Sequence, residues 1–180
     1  LEMSTRGCER LTRLINDVRD VERIASGRLE LKLETLDLRT VVQRALHDTS
    51  AYTAELGVRV RFDAPDDAVP VHVDADRITQ VVVNLVSNAA KFSPGGDEVL
   101  VVLRVHEGHA RVGITDHGPG IPPAFRSRVF ARFAQADASD RREKGGTGLG
   151  LNICRSIVQA HGGSIGFGSG PRVRAEFWFE

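Results

Sequence analysis

The sequence predicts an α+β protein, a two-layer sandwich in which a mixed, mostly antiparallel sheet carries three helices on one face. Two observations predict this class. Segments with apolar residues at helical spacing interleave with segments in which apolar and polar residues alternate. The predicted strands that pair are also joined by short turns, which favours a sheet with helices packed on it. With 180 residues, the chain is long enough for one such domain and a short appendage.

The first predicted element is an amphipathic helix over residues 9–26, because apolar side chains recur there at spacings of three and four. Gly27 is its expected end. Alternation over residues 29–33 predicts a short strand, and Asp37 is the expected N-cap of the next helix. The other predicted strands cover 58–62, 69–73, 98–106, 110–115, 163–168 and 173–179, and the other predicted helices cover 38–55, 75–92, 124–133 and 149–161.

Composition excludes several classes of function. Lys and Arg together number 24, as do Asp and Glu, so no net charge exists to attract nucleic acid or a membrane surface. No apolar run approaches the roughly 20 residues that cross a bilayer. Cys8 and Cys154 form no CxxC pair, which favours reduced thiols in a cytoplasmic protein. We expect no nucleic-acid partner and no direct membrane contact from this segment, although the parent protein could be anchored elsewhere.

The first chemical cluster lies on the predicted helix over 75–92. Asn84, Asn88 and Lys91 stand at positions i, i+4 and i+7 and therefore share one face. Amide oxygens and an ammonium group on one stripe suit a magnesium–phosphate ligand, because Mg²⁺ takes hard oxygen ligands together with water and phosphate. A solvated polar face is an equally weighted alternative.

The second cluster follows a predicted strand, where Asp116 precedes Gly118 and Gly120. Glycines allow a flat ligand to approach the backbone closely. A buried carboxylate there could accept a hydrogen bond from an exocyclic amine. A tight turn with a capping aspartate is the alternative.

The third cluster is the glycine-rich run at 145, 146, 148 and 150, which opens a predicted helix. Backbone N–H groups in such a turn, together with the helix N-terminus, can cradle phosphate. The run is neither a Walker A loop nor a dinucleotide-binding fingerprint, since no Gly-Lys-Ser/Thr follows and the Gly-x-Gly-x-x-Gly spacing after a strand is absent. A flexible hinge is the alternative.

The fourth cluster is Phe130 and Phe133, in a weakly patterned stretch that runs from Gly118 to Gly148. A loop of that length inside a compact domain is usually functional or disordered. The two rings could anchor a mobile lid, and ordinary local packing is equally favoured. The same stretch holds six basic residues that are either solvated or near a triphosphate: Arg126, Arg128, Arg132, Arg141, Arg142 and Lys144.

The order and spacing of the four clusters resemble the ATP-binding catalytic domain of sensor histidine kinases, within the superfamily that includes Hsp90, MutL and DNA gyrase. Residues 76–94 resemble the N box of that family, 116–120 the G1 box, 129–133 the F box and 146–150 the G2 box. The resemblance covers nearly the whole chain. It implies a Bergerat-type ATP-binding fold, with ATP and Mg²⁺ as ligands.

The resemblance also implies a role for each motif residue. Asn88 would be the main magnesium ligand and Asn84 would assist it. Lys91 would contact phosphate, Phe92 would lie against the base or ribose, and Asp116 would bond the adenine amino group. The other residues implied in ATP binding are Gly118, Gly120, Ile121, Phe133, Gly146, Thr147, Gly148, Leu149 and Gly150, with a lid over about 121–147.

The resemblance divides the chain into the second helix of a dimerisation hairpin over 1–27, a linker with the first strand over 28–36, and the catalytic domain over 37–180. Such kinases form homodimers and pass the phosphoryl group to an aspartate of a response-regulator receiver domain. None of the six histidines lies in a phosphoacceptor context; His47 with Asp48 is the nearest and lacks the downstream proline. We therefore expect a truncated kinase that binds ATP and does not complete autophosphorylation.

Two further functions stay open at this level, an ATP-driven clamp and a pseudokinase that acts only by contact. Clamps of the Hsp90 type present a Glu early in the N-box helix, whereas this helix offers Gln80 and Asn84, which disfavours hydrolysis. A pseudokinase would lack an Asn, the Asp or the glycines, and all are present. His117 stands where the family often has a small polar residue, and its side chain is expected to point away from the base.

Overall fold

The computed structural model describes residues 15, 18–20, 22–23, 26, 29–134, 147–168 and 175–180. Residues 15, 18–20, 22 and 23 are helical, which agrees with the first predicted helix where it is described. The strands are β1 (Glu34–Asp37), β2 (Arg59–Asp63), β3 (Pro70–Val73), β4 (Glu98–His106), β5 (His109–Asp116), β6 (Ile165–Gly168) and β7 (Ala175–Phe179). The helices are α1 (Leu38–Glu55), α2 (Ala75–Phe92) and α3 (Gly150–Ala160), with a 3-10 helix at Pro123–Arg128.

Five strands form the main sheet in the order β2–β4–β5–β7–β6. The β2–β4 pair is parallel, and the other pairs are antiparallel. A separate antiparallel pair joins β1 to β3. On β4, Val99, Val101 and Leu103 are buried while the residues between them are more exposed, so the helices cover one face. The predicted class, a mixed and mostly antiparallel sheet with three helices on one face, is confirmed.

Helix α2 is the central helix, because it packs against both α1 and α3 and against β4 and β5. Its apolar stripe, which includes Val81, Leu85 and Ala89, is buried in the core. The polar residues Asn84, Asn88 and Lys91 on its other face are half-buried. No helix in the described part of the chain is long and apolar enough to span a bilayer.

Aspartate caps fix where α1 and α2 begin. Asp37 Oδ1 accepts hydrogen bonds from Arg39 N at 3.0 Å and from Val69 N at 2.9 Å. Asp74 Oδ1 accepts one from Arg77 N at 3.0 Å. Each carboxylate satisfies an N–H of the first helical turn and so fixes the start of its helix. The observed helices have the predicted bounds, 38–55 and 75–92.

Two local predictions were wrong. Residues 29–33 form no regular structure, and the first strand begins at Glu34, opposite Val73. The pairing ends there because the next residue, Asp74, caps α2 and accepts a hydrogen bond from Lys32 N at 2.9 Å.

Residues 124–133, predicted as one helix, form only the 3-10 helix followed by turns. Phe133 has a left-handed φ of 58°, which a right-handed helix does not allow.

Candidate nucleotide site

Asn84 of α2 faces the first residue of α3. A Cβ built on Gly150 would lie 3.7 Å from Asn84 Cγ and 3.8 Å from its Oδ1. The predicted asparagine helix and the predicted glycine loop therefore meet. Asn84 Nδ2 is buried, and it has no hydrogen-bond partner within the described residues. Because an unsatisfied buried polar group costs about 1–3 kcal/mol, the position suits a polar ligand.

Asp116, Gly118 and Phe92 meet at the other end of α2. Gly118 N donates a hydrogen bond of 2.8 Å to Asp116 Oδ1. A Cβ at Gly118 would lie 2.7 Å from the Phe92 carbonyl oxygen and 2.9 Å from Asp116 Oδ1, so no side chain fits there. The glycine thus lets the end of β5 close onto the end of α2.

The Asp116 side chain is held in a low-dielectric position. Only 5% of the residue is exposed. Burial raises the pKa of Asp116 above its ordinary value, although the Gly118 N–H and the neighbouring His117 act in the opposite direction. A carboxylate in such a position interacts more strongly with a hydrogen-bond donor than one in water.

Asn88, Lys91 and Phe92 complete the same end of the helix. All three are half-buried, and Lys91 Nζ lies 5.1 Å from the centroid of the Phe92 ring. Because α2 is continuous from Ala75 to Phe92, Asn88 and Lys91, three residues apart, lie on one side of it.

The loop before α3 contacts the segment that was predicted to carry a lid. Gly148 has a φ of +69°, and a Cβ there would lie 2.8 Å from the Phe133 carbonyl carbon. Leu149 is buried, and its N–H donates a hydrogen bond of 3.2 Å to Thr147 Oγ1. Gly146 and residues 135–146 of the predicted lid lie outside the described residues.

Phe130, rather than Phe133, anchors the described part of that segment. The Phe130 ring lies 6.1 Å from Phe167 and 6.3 Å from Phe177, both on the sheet. Asn152 Nδ2 of α3 donates a hydrogen bond of 2.9 Å to the Phe130 carbonyl. Phe133 is 66% exposed. Sequence reasoning named both rings without separating them, and it missed Asn152, whose only signal is its place two residues after Gly150.

Gly120 and Ile121 lie at the start of the same segment and are half-buried. Gly120 has a φ of 80°. The Ile121 carbonyl accepts a hydrogen bond of 3.3 Å from Arg126 Nε. Both residues follow the Asp116 turn in the chain and lead into the 3-10 helix that contains Arg126.

His117 is directed toward the beginning of β4. Its Nδ1 lies 2.9 Å from the Glu98 carbonyl oxygen and 3.3 Å from Asp97 Oδ1. Since a carbonyl only accepts, Nδ1 carries the hydrogen. The imidazole therefore ties the Asp116 turn to the corner between α2 and β4.

Comparisons with known proteins show the family of the chain. The family described as "Histidine kinase-, DNA gyrase B-, and HSP90-like ATPase" matches residues 73–180. Signal transduction histidine-protein kinase BarA of Escherichia coli (strain K12) is 38% identical over 182 residues, which cover 97% of this chain and 20% of BarA. The probable sensor histidine kinase TcrY of Mycobacterium tuberculosis is 39% identical over 163 residues, 91% of this chain and 34% of TcrY. The chain thus spans about a fifth to a third of these relatives.

Solved structures show the same likeness. The crystal structure of full-length ShkA in complex with AMPPNP superposes with a TM-score of 0.82 at 30% identity, over 97% of this chain and 36% of ShkA. The Acinetobacter baumannii histidine kinase AdeS gives a TM-score of 0.78 at 25% identity, over 97% of this chain and 79% of AdeS. Because the family match covers more than half of the chain and these relatives are histidine kinases, the chain belongs to the histidine kinase-, DNA gyrase B- and HSP90-like ATPase family and carries the ATP-binding catalytic domain of a sensor histidine kinase.

Proposed function

We propose that the chain binds Mg-ATP along α2 and donates the γ-phosphoryl group to a histidine of a dimerisation helix. One observation carries the proposal: two motif contacts lie on α2, that of Gly118 with Phe92 and that of Gly150 with Asn84. Phe92 and Asn84 are eight residues apart, and eight residues of α-helix span about 12 Å. The two contacts therefore mark the ends of one elongated site.

The Asp116 end suits the adenine base. The buried carboxylate would accept a hydrogen bond from the exocyclic amine. The lack of a side chain at Gly118 allows Asp116 and Phe92 to approach each other at this end of the site. Phe92 would supply an apolar surface for the base or ribose. Gly120 and Ile121 would line the same pocket, since they follow the Asp116 turn.

The Asn84 end suits the phosphates. Asn88 and Asn84 would supply amide oxygens to Mg²⁺, and the unpartnered Nδ2 of Asn84 fits a site that a polar ligand completes. Lys91 would contact a phosphate oxygen. The backbone from Gly146 to Gly150, at the start of α3, would direct N–H groups at the phosphates. Bound Mg²⁺ would neutralise charge on the phosphate oxygens.

The chain would mainly hold the γ-phosphoryl group in position and would itself form no covalent bond to it. In the transfer, an imidazole nitrogen of the accepting histidine forms a bond to the γ-phosphorus while the bond to the bridging oxygen breaks, and ADP leaves with that electron pair. Thr147 and Leu149 would hold the loop around the phosphates, and Phe133, in the lid segment, would contact the nucleotide.

The accepting histidine would belong to a hairpin helix other than the segments described above. His161 uses both ring nitrogens, through Asp74 N at 3.0 Å and the Ile157 carbonyl at 2.8 Å. His47 lies exposed on α1 without the acceptor context. We further propose that the intact protein is a homodimer, that it phosphorylates a response-regulator receiver domain, and that this domain works in the cytoplasm.

An ATP-driven clamp is less favoured, because α2 offers the carboxamides of Gln80 and Asn84 where a clamp presents a Glu. A carboxamide is not a base, so neither side chain can take the proton from an attacking water. Gln80 is in addition engaged elsewhere, since its Nε2 donates to Asp20 Oδ2 at 2.6 Å and its Oε1 accepts from Arg77 Nη1 at 2.9 Å. Slow hydrolysis of ATP by the chain in the absence of any acceptor would favour the clamp instead.

The direct test is calorimetric titration with a non-hydrolysable ATP analogue, with and without Mg²⁺. We expect binding by the wild type that Mg²⁺ tightens and that Asp116→Asn weakens. Asp48→Asn, at an exposed position on α1, is the matched control and should bind like the wild type. Absence of binding by a folded wild type would reject the site.

Incubation of the chain with ATP labelled at the γ-phosphate tests the acceptor assignment. We expect bound nucleotide and no acid-labile phosphohistidine on the chain. Phosphate on any of the six histidines would show that the acceptor lies within these 180 residues.

A further inference from the structure

We propose that Arg77 and Gln80 of α2 form a docking site for the carboxylate of Asp20, and that this contact positions the N-terminal helix beside the phosphate end of the nucleotide site. The existence of the docking contact is independent of the proposed function. Its role in setting the helix for phosphotransfer rests on that function.

Three hydrogen bonds close a ring between the two segments. Arg77 Nη1 donates to Asp20 Oδ1 at 2.9 Å, and Gln80 Nε2 donates to Asp20 Oδ2 at 2.6 Å. Arg77 Nη1 also donates to Gln80 Oε1 at 2.9 Å. Each carboxylate oxygen therefore has its own donor, and the two donors hold each other in place.

The burial of Asp20 makes the contact specific. Asp20 is 9% exposed, and the Arg77 side chain is 20% exposed. A buried carboxylate is strongly unfavourable without its partner, so loss of the pair destabilises this position of the helix. Ile15 and Val18, on the same helix, are 55% and 49% exposed, so these two apolar side chains are less buried than Asp20.

The docking site is continuous with the nucleotide site. Gln80 lies four residues before Asn84, so the two share one face of α2 about 6 Å apart along the helix axis. Arg19, Arg23 and the three docking residues line a cavity of about 330 Å³ at the contact. All five of these lining residues are polar or charged. The contact therefore lies about one turn of α2 from the proposed magnesium ligands.

Pulsed electron spin resonance on doubly labelled chain measures the contact. Labels would be placed at Glu22→Cys and Asp48→Cys, both exposed, in a Cys8→Ser background; Cys154 is buried and unreactive. We expect one narrow distance distribution for this reference chain. Asp20→Ala and Arg77→Ala should each broaden it or shift it.

Two further variants separate docking from a general loss of fold. Asp76→Ala removes an exposed pair with Arg44 (3.6 Å) next to the docking site and should leave the distribution narrow. The reversal Asp20→Arg with Arg77→Asp should restore a narrow distribution that either single reversal loses. A broad distribution in the reference chain, an unchanged one in Asp20→Ala, or a reversal as broad as the single variants would each overturn the proposal.

Titration with the ATP analogue on the same chains keeps the two proposals distinguishable. Nucleotide binding together with an Asp20→Ala distribution like the reference would overturn docking and support the proposed function. A distribution that responds to Asp20→Ala without nucleotide binding would support docking and overturn the proposed function.

Discussion

Gly148 lies backbone to backbone against Phe133: a Cβ at Gly148 would lie 2.8 Å from the Phe133 carbonyl carbon and 2.9 Å from its Cα. The φ of Gly148 is +69°, which L side chains rarely adopt. Gly150, two residues later, begins α3, and a Cβ there would meet only the Asn84 carboxamide at 3.7 Å. The backbone therefore requires glycine at position 148, whereas position 150 has room for a Cβ.

We predict that Gly148→Ala lowers the free energy of unfolding by about 1–3 kcal/mol, because it adds left-handed strain and a backbone clash. It should also weaken binding of the ATP analogue. Gly150→Ala should leave the free energy of unfolding unchanged or raise it by up to about 1 kcal/mol, since alanine favours the helix. Thermal unfolding and titration of both variants test this, and equal losses of stability would contradict it.

The buried Asp116 predicts a pH dependence of nucleotide binding. Burial raises its pKa above 3.8, and only the ionised carboxylate accepts the bond from an amine. Affinity of the wild type should therefore increase as pH rises through that raised pKa. Asp116→Asn should bind about tenfold to a hundredfold more weakly and lack this component, because a bond to a charged group is worth about 1.5–3 kcal/mol. Identical pH profiles of the two proteins would refute the role.

The raised pKa of Asp116 should affect stability in the opposite direction: rising pH should strengthen nucleotide binding but lower the free energy of unfolding. The folded-state pKa exceeds the unfolded value, so the folded state binds more protons between the two values and the free energy of unfolding falls as pH rises through that window. Asp116→Asn should remove this loss and keep the hydrogen bond from Gly118 N. Chemical unfolding at neutral pH should thus find the variant as stable as the wild type or more stable, whereas a merely structural aspartate would be destabilised.

The helices and the motif order could be predicted from the sequence because their signals are local. Asp37 and Asp74 cap the helices that the apolar stripes predict, so the bounds of α1 and α2 agree with the structure to the residue. Asp116 and Gly118 are adjacent in sequence and in space. Asn84 and Gly150 meet because each is fixed by a predictable helix.

Other features could not be predicted from the sequence, because they depend on contacts between residues that are far apart in the chain. The first strand begins at Glu34 only because β3 ends at Val73. Phe130 is distinguished from Phe133 by distant partners, Phe167 and Phe177 on the sheet and Asn152 of α3. The contact of Asp20 with Arg77 joins residues 57 positions apart, and each alone looks like one more surface charge.

We predict that Asp74→Ala lowers the free energy of unfolding by about 1–3 kcal/mol, since it removes an N-cap and the acceptor for Lys32 N. Asp76→Ala, at the exposed neighbouring position, should change it by no more than about 1 kcal/mol. Denaturant unfolding of the two variants compares them directly. Similar losses would show that the capping contacts do not matter.

Asp74 should also contribute to acid unfolding. Burial alone would raise its pKa, but hydrogen bonds from Lys32 N and Arg77 N hold the pKa below 3.8. The stability that it contributes is therefore present above pH 3.8 and is lost as pH falls through the lower folded-state pKa. Asp74→Asn, which can still cap the helix, should show a shallower acid dependence than the wild type; an unchanged slope would count against these hydrogen bonds.

Substitutions of the two phenylalanines in the lid segment should have different effects, because Phe130 anchors the segment and Phe133 is proposed to contact the nucleotide. Phe130→Ala removes a half-buried ring from Phe167 and Phe177 and should lower the free energy of unfolding by about 1–3 kcal/mol. Phe133→Ala removes a ring that is 66% exposed and should change the free energy of unfolding by less than about 0.5 kcal/mol.

If Phe133 contacts the nucleotide as proposed, Phe133→Ala should weaken binding of the ATP analogue without lowering the stability of the protein. Wild-type affinity in Phe133→Ala would remove that residue from the site, and a large loss of stability would show that it, too, anchors the segment.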